Sequence, residues 1–130
     1  MTITPIQKLL ENARAQITTL SLEATRAEVE AGRALLVDIR DIRELQREGR
    51  IEDAFHAPRG MLEFWVAPDS PYHKPELSDG KRLILFCASA WRSALSAKAL
   101  QDMGLDDVAE MEGGFKAWKT AGLPVVMPAN

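Results

Sequence analysis

The sequence predicts an α/β domain built on a mainly parallel sheet with helices on both faces. Three observations predict it. Short apolar runs of strand length recur at Ala34–Ile39, Arg82–Phe86 and Val108–Met111. Between them lie longer stretches whose apolar residues repeat at helical spacing and end in capping residues. The two kinds of segment alternate along the chain, the order that parallel strands with crossover helices require. At 130 residues the chain suits one domain, since two separate cores of that size would each be marginal.

The elements follow in order. Thr4 reads as an N-cap, with Pro5 at the first helical position and Gln7 at capping-box spacing. Ile6, Leu9, Leu10, Ala13 and Ile17 then continue a helical face. Ser21 reads as the N-cap of a second helix, which Gly32 closes. The Ala34–Ile39 strand ends in charge, and Asp41–Glu48 is a charged helix stopped by Gly49. A brief strand is expected near Ala54–Ala57, then a short helix at Met61–Trp65. Residues 67–80, with Pro68, Pro71, Pro75 and Gly80, form one long loop, read as an insertion within a single core and not a linker. Arg82–Phe86 is the strongest strand and runs straight into Cys87. Arg92–Met103 is helical, Val108–Met111 a last strand, and Gly113-Gly114 opens a helix carrying Phe115 and Trp118 that Gly122 and Pro124 end.

Composition narrows the function. An apolar fraction of 46% with 27% charged residues is that of an ordinary soluble globular protein. A net charge of −3 argues against a general nucleic-acid binder, which would show a basic surplus. No apolar run reaches the ~20 residues needed to span a bilayer, so no membrane association is expected. The first residues lack the apolar core of a secretory signal, so a cytoplasmic location is the expectation. One cysteine excludes an intramolecular disulfide, and no Cys/His cluster is available for zinc; neither a metal nor an organic cofactor is expected.

That cysteine stands where ligands bind in open α/β sheets, at the carboxyl end of a strand. Phe86-Cys87-Ala88-Ser89-Ala90-Trp91-Arg92-Ser93 reads as strand, tight loop and helix start. Such a loop turns backbone N–H groups toward the sulfur, and the helix adds unsatisfied donors and the positive end of its dipole. Together with the Arg92 charge, these favour thiolate over thiol, the form that attacks. An anionic substrate would meet the same donors.

Cys-x4-Arg-Ser at a strand–helix junction resembles the active-site loop of rhodanese domains. Leu36-Val37-Asp38-Ile39-Arg40 resembles that family's LVDVR strand, with Glu44 at its usual acidic position. Glu112-Gly113-Gly114-Phe115, Trp118 and Gly122-Leu123-Pro124 resemble its closing signature. The resemblance runs from about Ser21 to Val125. It implies a three-layer rhodanese-like fold over 21–130, with 1–20 as an extra N-terminal helical extension. It also implies a two-step sulfur transfer: Cys87 takes the outer sulfur of thiosulfate or a related donor, becomes a persulfide, and passes the sulfur to a thiol, cyanide or a protein acceptor. The N–H groups of Ala88, Ser89, Ala90, Trp91, Arg92 and Ser93 would hold the persulfide. Two departures stand out. Ala90 replaces a loop glycine, leaving either a strained positive φ or a readjusted loop. The family's GHIPGA motif is replaced by Gly49-Arg50-Ile51-Glu52-Asp53-Ala54, from which nothing catalytic is carried over.

Other residues weigh less. Asp38 and Arg40 are expected to form a structural salt bridge near the strand end, with support of the site as the alternative. Arg59 is read as solvated, with attraction of an anionic donor as the alternative. His56 and His73 are read as structural or exposed. Trp91 is expected at the pocket rim, Phe64 and Trp65 either there or in the core, and Phe115 and Trp118 in the core. An alternative to the enzyme is a sulfur carrier or persulfide-sensing module with little turnover. Phosphatase chemistry, found on related folds, uses five residues between Cys and Arg; the four here form a smaller ring, suited to sulfur.

Overall fold

The computed structural model describes residues 2–128; Met1, Ala129 and Asn130, the ends of the two predicted segments, lie outside the described residues. Five parallel strands form one sheet in the order β1-β5-β4-β2-β3. They are β1 (Thr18–Leu20), β2 (Ala34–Asp38), β3 (Phe55–His56), β4 (Arg82–Phe86) and β5 (Ala109–Met111). Six α-helices connect and flank them: α1 (Ile6–Arg14), α2 (Leu22–Glu30), α3 (Ile42–Glu48), α4 (Leu62–Val66), α5 (Trp91–Asp102) and α6 (Gly114–Thr120).

A parallel sheet is covered on both faces, so its central strands must be apolar throughout. Leu83, Ile84, Leu85 and Phe86 of β4 are accordingly all buried. Their side chains alternate. Leu83, Leu85 and Cys87 pack with Val37, Val108, Leu62, Val66, Ala97 and Leu100. Ile84 and Phe86 pack with Leu36, Ala109, Met111, Phe115 and Trp118 on the other face. The predicted three-layer arrangement is therefore the observed one.

The start of the chain differs from expectation. Pro5, not Thr4, occupies the N-cap position of α1; it has no side-chain cap, and its carbonyl accepts from Lys8 N at 3.0 Å. The helix ends at Arg14 and does not continue through Ile17. Ile17, Thr18 and Thr19 are β-branched and favour extended backbone. Thr18, Thr19 and Leu20 pair with Ala109, Glu110 and Met111 to form an edge strand. The N-terminal segment is thus continuous with the sheet, and α1 lies against α5, where Gln101 Nε2 donates to Gln16 O at 2.9 Å.

Other local signals behave as read. Ser21 Oγ accepts from Ala24 N at 3.0 Å, and Gly32 turns the chain with φ +74°. The charged helix expected over Asp41–Glu48 is present as α3, and it opens on a capping box of Asp41 and Glu44 that sequence reasoning missed. The long loop is tied down by Leu77, 3% exposed, and by Lys74 N donating to Trp65 O.

Asp38 and Arg40 close the end of β2. Arg40 Nη2 lies 2.7 Å from Asp38 Oδ2 and donates to Gly49 O at 2.9 Å; both side chains are 1% exposed. The guanidinium stacks 4.0 Å from the Phe115 ring centroid. A buried pair adds little over an apolar substitute, but removing one partner strands the other charge. Arg40→Met is expected to cost about 3–5 kcal/mol by urea denaturation; an unchanged midpoint would show that Asp38 is tolerated alone.

Candidate functional site

The helices leaving β2 and β4 go to different faces: α5 packs on the Leu85 side, while α3 lies beside α6. Such a divergence opens a crevice at the carboxyl ends of the two strands. Cys87 follows β4 there, 1% exposed. Ser93 N donates to its Sγ at 3.4 Å, and Ser93 Oγ lies 3.6 Å from the same sulfur.

Two carbonyls of the loop are held by α6. Phe115 N donates to Cys87 O at 2.8 Å, and Lys116 N to Ala88 O at 3.0 Å. The first turn of α6 thus grips the back of the loop. Gly114 makes this approach possible: its φ is +65°, and a Cβ there would lie 2.5 Å from Cys87 O. Among the described residues, none accepts from the N–H groups of Ser89, Ala90, Trp91 or Arg92. These are the orphan donors expected where a helix such as α5 begins.

Arg92 reaches across to α3. Its Nη1 and Nη2 meet Glu44 Oε2 and Oε1 at 2.7 and 2.8 Å, a two-pronged pair. Glu44, and more weakly Cys87, hold the guanidinium above its usual range. In turn, Arg92 holds the Glu44 carboxyl below the carboxylate range, with the Asp41 N–H adding to the effect. The lowered folded value means that this pair's stabilisation is present above the ordinary Glu pKa and lost as pH falls through the folded one. A cavity of about 470 Å³ between α3 and α6 adjoins Ala88 and Ser89, with Arg47, Lys116 and Lys119 on its walls.

Of the other residues singled out, Asp38 and Arg40 brace the loop's surroundings through Phe115 and do not touch Cys87. Arg59 is exposed, and its N–H donates to Ile39 O. Trp91 is 48% and Phe64 56% exposed, whereas Trp65 packs edge-on against Phe55. His56 bonds Arg40 O through Nε2, and His73 bridges Trp65 O and Ser78 Oγ. Sequence reasoning missed the Glu44–Arg92 pair, although Glu44 stood at a position marked as acidic in the resemblance. It also missed Glu110, whose only signal is a charge inside an otherwise apolar strand.

Residues 21–121 match the Rhodanese-like domain family, and the chain belongs to it. A structure of a Rhodopseudomonas palustris protein of unknown function, described as a possible tyrosine phosphatase, superposes with a TM-score of 0.89 at 47% identity, covering 96% of this chain and 97% of that one. The chain is 35% identical over 96 residues to an uncharacterised Synechocystis protein, matching 74% of this chain but only about half (49%) of that longer one. It is 28% identical over 107 residues to the thiosulfate sulfurtransferase GlpE of Vibrio cholerae, covering 82% of this chain and 92% of GlpE. No helix among the described residues is long and apolar enough to cross a membrane.

Ala90 has φ +71° and ψ 8°, the one non-glycine residue with positive φ among those described. A left-handed alanine costs about 1–2 kcal/mol, while glycine adds about 0.4–1 kcal/mol of unfolded-state freedom. The two nearly cancel. Ala90→Gly is therefore expected to leave the denaturation midpoint unchanged or slightly raised; a clear loss of stability would mean that the loop is not strained there.

Proposed function

We propose that the protein is a sulfurtransferase that moves a sulfane sulfur from thiosulfate or a related anionic donor to a thiol or cyanide acceptor through a Cys87 persulfide. The observation that carries this reading is the cysteine at the head of α5, with Ser93 N donating to its sulfur and the adjoining N–H groups of Ser89, Ala90, Trp91 and Arg92 left without a protein acceptor among the described residues. The Cys87 thiolate attacks the outer sulfur of thiosulfate. A sulfur–sulfur bond forms to Cys87 as the donor's own sulfur–sulfur bond breaks, and sulfite leaves with the electron pair. An acceptor thiolate or cyanide then attacks the outer sulfur of the persulfide and releases the Cys87 thiolate. Each step passes negative charge through the loop, where preorganised amides stabilise it without reorganisation.

Arg92 supports the donor step as a fixed cation whose orientation Glu44 sets. On the adjoining cavity Arg47 is paired with Glu48, and Lys116 and Lys119 supply the remaining positive charge that an anion would meet. The four-residue spacing between Cys87 and Arg92 favours a compact sulfur over a phosphoryl group, which weighs against phosphatase chemistry. The resemblance to GlpE supports thiosulfate as the donor to try first. A protein acceptor would extend the same chemistry, and the predicted cytoplasmic setting supplies abundant thiols.

Thiocyanate formation from thiosulfate and cyanide tests the proposal. Cys87→Ser is expected to abolish turnover while keeping the native melting temperature within a few degrees; residual transfer in that variant would refute the mechanism. Wild-type protein that loads sulfur but does not turn over would instead mark a carrier. Arg92→Ala is expected to lower kcat/KM for thiosulfate by about tenfold or more, the loss of one charge-assisted contact. Unchanged thiosulfate kinetics would show that Arg92 serves only the fold.

A further inference from the structure

Behind Cys87 lies a buried carboxyl group that the transfer chemistry above does not use. Glu110, on β5, is 1% exposed. Its Oε1 accepts from Ser93 Oγ at 2.7 Å and its Oε2 from Thr19 Oγ1 at 2.9 Å. Ser93 is fully buried, and its hydroxyl sits between the carboxyl and the sulfur, 3.6 Å from Cys87 Sγ. Sulfur, hydroxyl and carboxyl thus form one unbroken chain inside the protein.

The geometry points to Glu110 as a positioning residue that exchanges a proton with Cys87 through the Ser93 hydroxyl and so sets how much of the nucleophile is thiolate. This rests on Cys87 being the reactive group. The exchange balances without solvent. With Glu110 ionised, Ser93 O–H donates to Oε1, and the Ser93 oxygen accepts the Cys87 S–H. Passing one proton along the chain puts S–H hydrogen on Ser93 and the Ser93 hydrogen on Glu110. In that arrangement Glu110 donates to Ser93, and Ser93 donates to the thiolate. One negative charge is present in both forms; only its address changes.

The surroundings favour holding a single charge there. Burial pushes the Glu110 carboxyl above its usual range, against the hydroxyl bonds from Ser93 and Thr19. Among the described residues no cation makes an ion pair with it, and the one charge that weakly favours its ionised form is Arg14 of α1. On the sulfur side the charged group is Arg92 of α5, itself engaged by Glu44 of α3. Placing a second negative charge on the chain would therefore be opposed, and the two groups should titrate as a coupled pair. Replacing Glu110 by the neutral, isosteric Gln leaves a permanent donor toward Ser93 and removes the competing charge.

Alkylation of Cys87 by iodoacetamide, followed against pH, tests this without requiring sulfur transfer. A coupling of about one pH unit would raise the thiolate fraction of Glu110→Gln about tenfold on the acid side. Intrinsic nucleophilicity falls in compensation, with a Brønsted coefficient of about 0.4–0.5. The expected profile for Glu110→Gln is thus about threefold faster at low pH and about threefold slower on the alkaline plateau. In a Ser93→Ala background, Glu110→Gln should change neither limb. Superimposable wild-type and Glu110→Gln profiles, or an equal displacement with and without Ser93, would overturn the relay. If the variant does not fold, the carboxyl carbon of Glu110 in wild-type protein can be followed by NMR before and after alkylation. Its two-step titration should collapse to one step, and an unaltered curve would overturn the proposal. A protein that shows the relay but takes up no sulfur would refute the sulfurtransferase reading and leave the relay standing.

Discussion

The grip of α6 on the back of the cysteine loop is the contact on which the site depends. Two hydrogen bonds, from Phe115 N to Cys87 O and from Lys116 N to Ala88 O, hold these two carbonyls against α6. A peptide unit that turns its C=O outward must turn its N–H inward. The N–H groups of Ala88 and Ser89, which belong to these two peptide units, are thereby directed away from α6. Gly114 permits that contact because a side chain there would overlap Cys87 O. The buried Arg40 guanidinium lies against Phe115 and so braces the same helix from below. Ala90 carries the remaining conformational cost, in a left-handed conformation that lets the chain turn into α5.

Much of this was legible in the residues. Leu83–Phe86 is apolar, β-branched or aromatic in part, and bounded by Arg82 and a loop, and Arg82–Phe86 forms β4 as expected. The cap at Ser21 and the stops at Gly32 and Gly49 work locally, and local chemistry survives folding. The edge strand β1 was hidden because it has three residues, two of them exposed, with no apolar alternation to betray it. Its stability comes from pairing with β5, distant in the chain, and short patterns cannot report such partners. The single helix predicted through Ile17 failed for that reason.

The site divides along the same line. Cys87, the loop and Arg92 are contiguous, so spacing alone brought them together. The Glu44–Arg92 pair and the Ser93–Glu110 contact join residues 48 and 17 positions apart. Only the sheet order, with β5 beside β4 and β2 on its other side, brings them to one place. Asp38 and Arg40 were seen as a pair, but their link to the loop runs through Phe115 and needed the fold. Electrostatically, the site is organised in two parts: a cation fixed by Glu44 at the mouth, and a carboxyl beneath the sulfur that has no ion-pair partner among the described residues. In the proposed mechanism the first would meet the anionic donor, while the second would act on Cys87.

The central claim is that Cys87 carries a sulfane sulfur, and intact-protein mass spectrometry after exposure to thiosulfate tests it most directly. The account predicts a gain of one sulfur atom, localised to Cys87 by fragmentation and removed by a small thiol. An unchanged mass, or a gain that persists when Cys87 is replaced by serine, would contradict it.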